Sequence, residues 1–343
     1  MRIAALFFLF CLSVISGSEK TIALFVRVDF SGEYSLAQRI QTACKHIGWR
    51  AEIIDIEKKK EFKQKRYDFA INLVPGAHKH ASCKNYLAIF HPIHHDFNKN
   101  GFLTRKYRSY DGYLLTYFPK KKRFVNRKYP YMIWYPTVQE QEYREVDPSS
   151  LFHICCCWGN RFESEKFRKF LSLLDKESYT RFYGNSKFQE IYPQSYRERI
   201  AYDDESLCEV AARAGVSLVL HSSDHNRYGI PSGRIFEAAA ASTVIISDKN
   251  KFVEKNFSDS VLYIDTDQDA VSIFNQIQSH MSWIRKNKPE ALEKAKKAHT
   301  IFEEKFLLED QLLALEKFHD RLSSRPRGIF WALLETLGYS KSP

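Results

Sequence analysis

No two of the seven cysteines stand at Cys-x-x-Cys spacing, so neither a zinc site nor a thiol-redox pair is expected. Three of them, Cys155, Cys156 and Cys157, are consecutive. Adjacent side chains on a strand point to opposite faces, so this triplet is not the spaced framework of a disulfide-stapled domain, and buried thiols are expected instead. Internal repeats and low-complexity segments are also missing. Beyond the N-terminus no apolar run approaches the roughly 20 residues that a membrane span needs. No recognised nucleic-acid module is present. The net charge of +11 suits an acidic partner, but its lysines and arginines are spread along the chain and select none.

What is there begins with "MRIAALFFLFCLSVISGSEK". One arginine precedes residues 3–15, apolar except for Ser13, and then the small residues Ser16, Gly17 and Ser18. This is the pattern of a secretory signal peptide over 1–18, which implies export to a periplasm, a secretory lumen or the exterior. The alternative is a retained N-terminal anchor.

A chain of 343 residues exceeds the usual size of one core, so two domains are expected, or one large α/β unit with additions. From Thr21, "TIALFVRVD" reads as a strand, "SLAQRIQTACKHIGW" as a helix starting at Ser35 and stopping at Gly48, and "AEIIDI" as a strand. The runs "YDFAINLV", "YLAIFHP" and "YDGYLLTYF" continue a parallel sheet covered by helices. The rhythm restarts at "LFHICCCWGNRF" and runs to "SVLYID". This divides the chain into a first domain over 19–136, a linker over 137–150, a second domain over 151–270, C-terminal helices over 271–325 and a tail over 326–343. In the first domain Lys120, Lys121, Lys122, Arg123, Arg127 and Lys128 stand beside Phe124, Tyr129 and Tyr131. Such a segment is either a solvated face or a contact for an anionic membrane surface, and nucleic acid is not expected.

The most informative stretch is "YGIPSGRIFEAAAASTVIISD", residues 228–248. Ligands of open α/β sheets sit where strands exit into helices. Here a polar loop over 221–233 carries Gly229 and Gly233 for close backbone approach or positive φ, Pro231 to stiffen the turn, and Ser232 to cap the helix. The unpaired amides of that helix start favour a phosphate, and Arg234 adds a charged fork. Glu237 lies three residues further on the same face. It either pairs with Arg234 on a solvated helix or accepts the sugar hydroxyls of a nucleotide. In the first half, "HPIHHDF" places His91, His94, His95 and Asp96 at another strand exit. Pro92 argues against a helix through this cluster, so no metal site is expected there, and His95 and Asp96 are candidates for acid–base work in a cleft.

The stretch "GIPSGRIFEAAAASTVIISD" with "FSDSVLYID" resembles the nucleotide-binding half of the glycosyltransferase group 1 superfamily, especially its spore-maturation-protein-like members. The resemblance is close over residues 216–265. It implies an α/β fold of GT-B type: two Rossmann-like, doubly wound domains facing a cleft, with a helical C-terminal tail. It also implies transfer of a sugar from a nucleotide-sugar donor to a hydroxyl on a glycan, lipid or protein, with retention, without metal and without a separate cofactor. By this resemblance Glu237 holds the ribose, and Gly233 and Arg234 border the diphosphate. Gly159 and Arg161 in "CCCWGNRF" resemble the phosphate-directed pair of many relatives, and Gly184 and Asn185, after Tyr183, resemble the strand end over the nucleobase.

One departure matters. Many relatives carry a second glutamate eight positions before the ribose one, and here that position is Gly229. Asp224 and His225 are the nearby candidates to replace it. The alternative to an active transferase is a catalytically weakened nucleotide-sugar or glycan-binding protein on the same fold.

Overall fold

The computed structural model describes residues 19–28, 31–58, 65–76, 80, 82–92, 103–104, 107–119, 129–155, 164–200 and 204–324. The expected signal peptide, the 120–128 basic cluster and the 326–343 tail therefore lie outside the described residues.

The first sheet uses β1 (Thr21–Val26), β2 (Arg50–Asp55), β3 (Phe69–Asn72), β4 (Lys84–Ile89), β5 (Gly112–Leu115) and β6 (Tyr131–Ile133), with α1 (Ser31–His46) between β1 and β2. Its order is β2-β1-β3-β4-β5-β6, and every pairing is parallel. Strands such as β1, in which only Thr21 is not fully buried, read as continuous apolar runs because a parallel sheet is covered on both faces. Helix α1 begins at Ser31 rather than at the expected Ser35. Ser35 is buried within it, and Glu33 supplies the negative charge that suits a helix start.

The second domain contains β7 (Ser150–Cys155), α2 (Glu165–Asp175), β8 (Thr180–Gly184), α3 (Phe188–Ile191), α4 (Asp204–Ala214), β9 (Gly215–Val219), α5 (Ser223–Tyr228) and α6 (Gly233–Ala240). It continues with β10 (Val244–Asp248), α7 (Lys251–Phe257), β11 (Val261–Ile264), α8 (Ala270–Lys286) and α9 (Lys288–Lys305). The sheet order is β11-β10-β9-β7-β8, again parallel. The chain leaves β7 towards β8 and returns to β9 on the other side, so the switch point lies between β7 and β9.

The C-terminal region is helical, as expected, and its last helix, α10 (Leu308–Ser323), packs on the first sheet. Leu308, Leu312, Leu315 and Phe318 form one apolar stripe, and all four sit in the core of the first sheet with Leu36, Ile40 and Phe69. Helices α8 and α9 instead cover the second sheet: Ile273, Ile277 and Ile284 close one face, and Ala298 and Phe302 the other. Among the described residues no helix is long and apolar enough to cross a membrane. Among the described residues Cys44, Cys155 and Cys208 are buried and Cys83 is half-buried, while Cys156 and Cys157 lie outside the described residues.

Candidate functional site

The segment expected to be a polar loop over 221–233 contains a short helix. Ser222 caps α5 by accepting from the His225 amide at 3.2 Å, and Gly229 closes it in the left-handed region at φ 64°. A side chain at Gly229 would be strained by that φ and would meet Lys251 Cβ at 3.3 Å. This explains the glycine by helix termination, without a ligand.

A buried polar network fastens this helix to the end of β10. Asp248, fully buried, accepts from the His221 amide at 3.2 Å, lies 2.7 Å from His221 Nδ1, and accepts from Asn226 Nδ2 at 2.7 Å. Asn250 Nδ2 donates to the carbonyls of His225 (3.3 Å) and Ile230 (3.1 Å) and to Asn226 Oδ1 (3.0 Å), while its Oδ1 caps α7 at the Phe252 amide (2.9 Å). A buried carboxylate persists only when its lone pairs are used, so this network holds the turn into α6 in one geometry.

At the start of α6, Ser232 accepts from the Arg234 amide at 3.4 Å, which is the capping role expected of it. Gly233 is not in the positive-φ region. Its hydrogen faces the linker, and an added Cβ would lie 3.0 Å from the Pro136 carbonyl, so the close backbone approach there is made by the chain itself. Ala238 and Ala239 are buried, which brings α6 near β9 and β10, and His299 on α9 reaches the Ala239 carbonyl at 3.0 Å.

Glu237 is only 4% exposed, so the solvated Arg–Glu pair of a wet helix face is excluded. Arg234 Nη1 does bond its Oε2, but Arg39 Nη2, from α1 of the first domain, holds Oε1 at 2.8 Å. Burial pushes the Glu237 carboxyl up, and the charges and hydrogen bonds of Arg234 and Arg39 outweigh this, holding it below the usual carboxylate range. Two guanidinium groups converge on one carboxylate beside the amino end of a helix, an arrangement suited to a phosphate.

Opposite this point the first domain presents the exit of β4. His225 hydrogen-bonds the backbone of Phe90, and burial, with repulsion from His221, lowers its pKa to about 4, so its imidazole is neutral at pH 7. Asp224 beside it is exposed. Tyr117 and Tyr228 face each other across the same cleft with ring centroids 6.2 Å apart.

The remaining expectations fall in two groups. Gly184 and Asn185 do end β8, but Gly184 has φ +133° and an added Cβ would lie 2.8 Å from the Cys155 carbonyl, a strand-to-strand reason for glycine. Asn185 is exposed, and its Oδ1 accepts from the Lys187 amide at 3.1 Å. Gly159, Arg161, His94, His95 and Asp96 lie outside the described residues. Among the described residues no group of three or more His, Cys, Asp or Glu side chains could hold a metal ion. Sequence reasoning missed Arg39, Asp248 and Asn250. Arg39 stands between the apolar Leu36 and Ile40 of α1, a position whose only signal was a charge beside a core stripe.

Residues 157–305 match the glycosyl transferase-like family. No curated protein matches the chain. Among solved structures it resembles a glycosyltransferase from Rickettsia africae at 11% identity, over 90% of this chain and 100% of that one, with a TM-score of 0.56. It resembles sucrose-phosphate synthase from Thermosynechococcus elongatus at 11% identity, over 89% and 100%, with a TM-score of 0.56. Anabaena HepE, solved with UDP-glucose, is similar at 8% identity over 90% and 100%, also at 0.56. The chain spans about half, 54%, of the length of TarM, which it also matches. The two parallel sheets and their winding are the GT-B architecture of these solved structures, and residues 157–305 of the second half are similar to the glycosyl transferase-like family.

Proposed function

We propose that this protein is a glycosyltransferase that binds the nucleoside diphosphate of its donor at the start of α6 and passes the sugar to a hydroxyl acceptor entering from the first domain. The observation that carries this is Glu237, a carboxylate 4% exposed, held beside Arg234 in the opening turns of a helix at the carboxyl end of the second sheet. Arg234 and the α6 amides would neutralise the diphosphate, and Glu237 would accept the ribose hydroxyls. In the reaction the bond from the anomeric carbon to the phosphate oxygen breaks. The electron pair of that bond stays on the diphosphate, a bond from the anomeric carbon to the acceptor oxygen forms, and the hydroxyl proton passes to the departing diphosphate oxygen. Charge accumulates on the departing diphosphate, where preorganised cations act most strongly. Retention, independence from metal and action on a glycan, lipid or protein acceptor belong to the same proposal, by resemblance to the group 1 transferases, and export of the protein belongs to it by the N-terminal segment.

Gly229 favours a second reading. It replaces the glutamate of many relatives, and its left-handed backbone cannot carry one without strain. A binding-only protein is the consequence if Asp224 and His225 do not replace that group.

A thermal-shift panel of UDP-, GDP-, ADP- and CMP-sugars tests the reading, because a ligand of the native state raises stability by mass action. A shift with one nucleotide class, followed by sugar transfer or donor hydrolysis, is expected. A shift without turnover supports the binding-only reading, and no shift with any of the four contradicts both.

A further inference from the structure

The consecutive helices α8 and α9 differ on their outer faces. Along α9 the exposed positions carry the charges usual for a solvated helix, among them Glu290, Glu293, Lys296 and Lys297. In α8 no aspartate, glutamate, lysine or arginine precedes Arg285. Ser272, Asn275, Gln276, Ser279 and His280 recur at spacings of three and four, so they share one face, and Asn275 and Ser279 are exposed. That face borders a cavity of about 660 Å³ beside the edge strand β11. At Asp265 it meets a second cavity, of about 510 Å³, between the starts of α2 and α5. Both volumes lie in the range of about 300–1,000 Å³ usual for ligand sites. The groove is separate from the start of α6: Phe167 of α2 and Ile273 of α8 pack on one face of the second sheet, and Ile235 and Phe236 of α6 on the other.

The floor of this groove is fixed. Gln276 accepts from the Asp265 amide at 2.8 Å and donates to its carbonyl at 3.3 Å, and His280 Nε2 lies 2.9 Å from the Tyr263 carbonyl. These side chains occupy the open edge of β11, so a peptide does not add there as a further strand. The Asp265 carboxylate is held as well: Oδ1 accepts from the Asp267 amide at 2.9 Å and Oδ2 from Gln268 Nε2 at 3.1 Å, which keeps its carboxyl below the usual range. Each oxygen keeps a lone pair for a further donor. At the α2 end, Asp265 and Asp267 are balanced by Lys166 and Lys249, and the Lys166 ammonium donates to the Thr266 carbonyl at 2.9 Å. Such a balance offers a polyanion no net attraction. Amide and hydroxyl side chains both donate and accept, as the adjacent hydroxyls of a sugar do. We propose that this groove is a second carbohydrate site, which holds a neutral oligosaccharide along α8, with Asp265 accepting from a pair of sugar hydroxyls and Asn275 and Ser279 bonding the same chain further along. The proposal does not depend on the role of Glu237.

The test uses the full chain and calorimetry with maltohexaose, cellohexaose and chitohexaose as neutral probes and a heparin hexasaccharide as the anionic one. At least one neutral probe should bind, and more tightly than the anionic one. Asn275 and Ser279 are exposed, so Asn275→Glu and Ser279→Glu should keep the thermal transition of the parent while placing a charge in the groove. Each should weaken the neutral probe by at least about 10-fold, the effect of losing one or two hydrogen bonds. Asp265→Asn, which keeps the shape and removes the charged acceptor, should act in the same direction; if it does not fold, the two glutamate variants decide. Arg234→Ala should bind the probe as the parent does, because Arg234 belongs to the start of α6. The proposal is overturned if no neutral probe binds, if the heparin hexasaccharide binds more tightly, or if Asn275→Glu and Ser279→Glu both keep the parent affinity. A loss in Arg234→Ala equal to that in the groove variants also overturns it, since the glycan would then lie at α6.

Discussion

The first sheet runs β2-β1-β3-β4-β5-β6 and the second, read from its other edge, β8-β7-β9-β10-β11, so each domain places its second strand outside its first and its third on the opposite side. Winding is shared; fastening is not. The second domain is covered by its own following helices, α8 and α9, and the exit of its third strand is tied down by Asp248 and Asn250. The first takes a covering helix, α10, from beyond the end of the second domain. A rigid, locally completed turn suits a domain that grips a charged ligand. A domain completed by a returning helix is tied to its partner by the chain on both sides, through the linker near Pro136 and through Phe306.

Four perturbations separate the two domains. Asp248→Ala should be the most damaging. It leaves the buried His221 groups and the part-buried Asn226 amide without their acceptor, at a cost of about 2–5 kcal/mol, from about 1–3 kcal/mol for each polar group left unsatisfied. Urea titration followed by circular dichroism checks it, and a loss below about 1 kcal/mol would show that the network does not fasten the turn. Leu312→Ala opens a cavity under the first sheet and should cost about 3 kcal/mol. Hydrogen exchange should then rise in β1 and β3 more than in β9 and β10; an equal rise would show that the domains unfold as one unit.

Gly229→Ala should cost about 1–2 kcal/mol, the penalty of a left-handed residue with a side chain. Gly229→Glu, which restores the residue of many relatives, should be no less destabilising and should not raise sugar transfer. Higher turnover in that variant would mean that Gly229 is a lost catalytic position and not a helix stop.

Acid should weaken the second domain first. Burial lowers His153, in β7, and His225 to about 4, whereas an unfolded histidine titrates near 6.5. Between those values the unfolded chain binds more protons than the folded one. Their contribution is therefore complete above pH 6.5 and is lost as pH falls towards 4. Urea midpoints at pH 7.0 and 5.0 read this, and His153→Asn should flatten the difference. A slope unaffected by that variant would show that His153 is not the group responsible.

Much of this fold was legible because the strands are buried runs and the helices between them have the 3.6-residue period; "TVIISD" and "SGRIFEAAAAS" are β10 and α6 with boundaries within about two residues. The helix inside residues 221–233 was hidden by its composition. Serine, aspartate, histidine and asparagine give no apolar stripe, and α5 persists through Ser222, Asn250 and Gly229 rather than through propensity. The domain to which α10 belongs was equally hidden, since a stripe of leucines states that a face is buried but not against which sheet. For Glu237 and Arg234 the residues were legible and the environment was not. The carboxylate is buried by Arg39, a residue 198 positions away in sequence, and no local pattern reports such a contact.

The central claim, that a nucleoside diphosphate binds at the start of α6, is tested most directly by calorimetry of Arg234→Ala against the parent with the nucleotide that gives the largest thermal shift. Arg234 is a third exposed and lies at the helix start, so its loss should leave the fold intact. The account predicts affinity weaker by about 1.5–3 kcal/mol, the scale of a charged hydrogen bond. Equal affinity in the two proteins would contradict it.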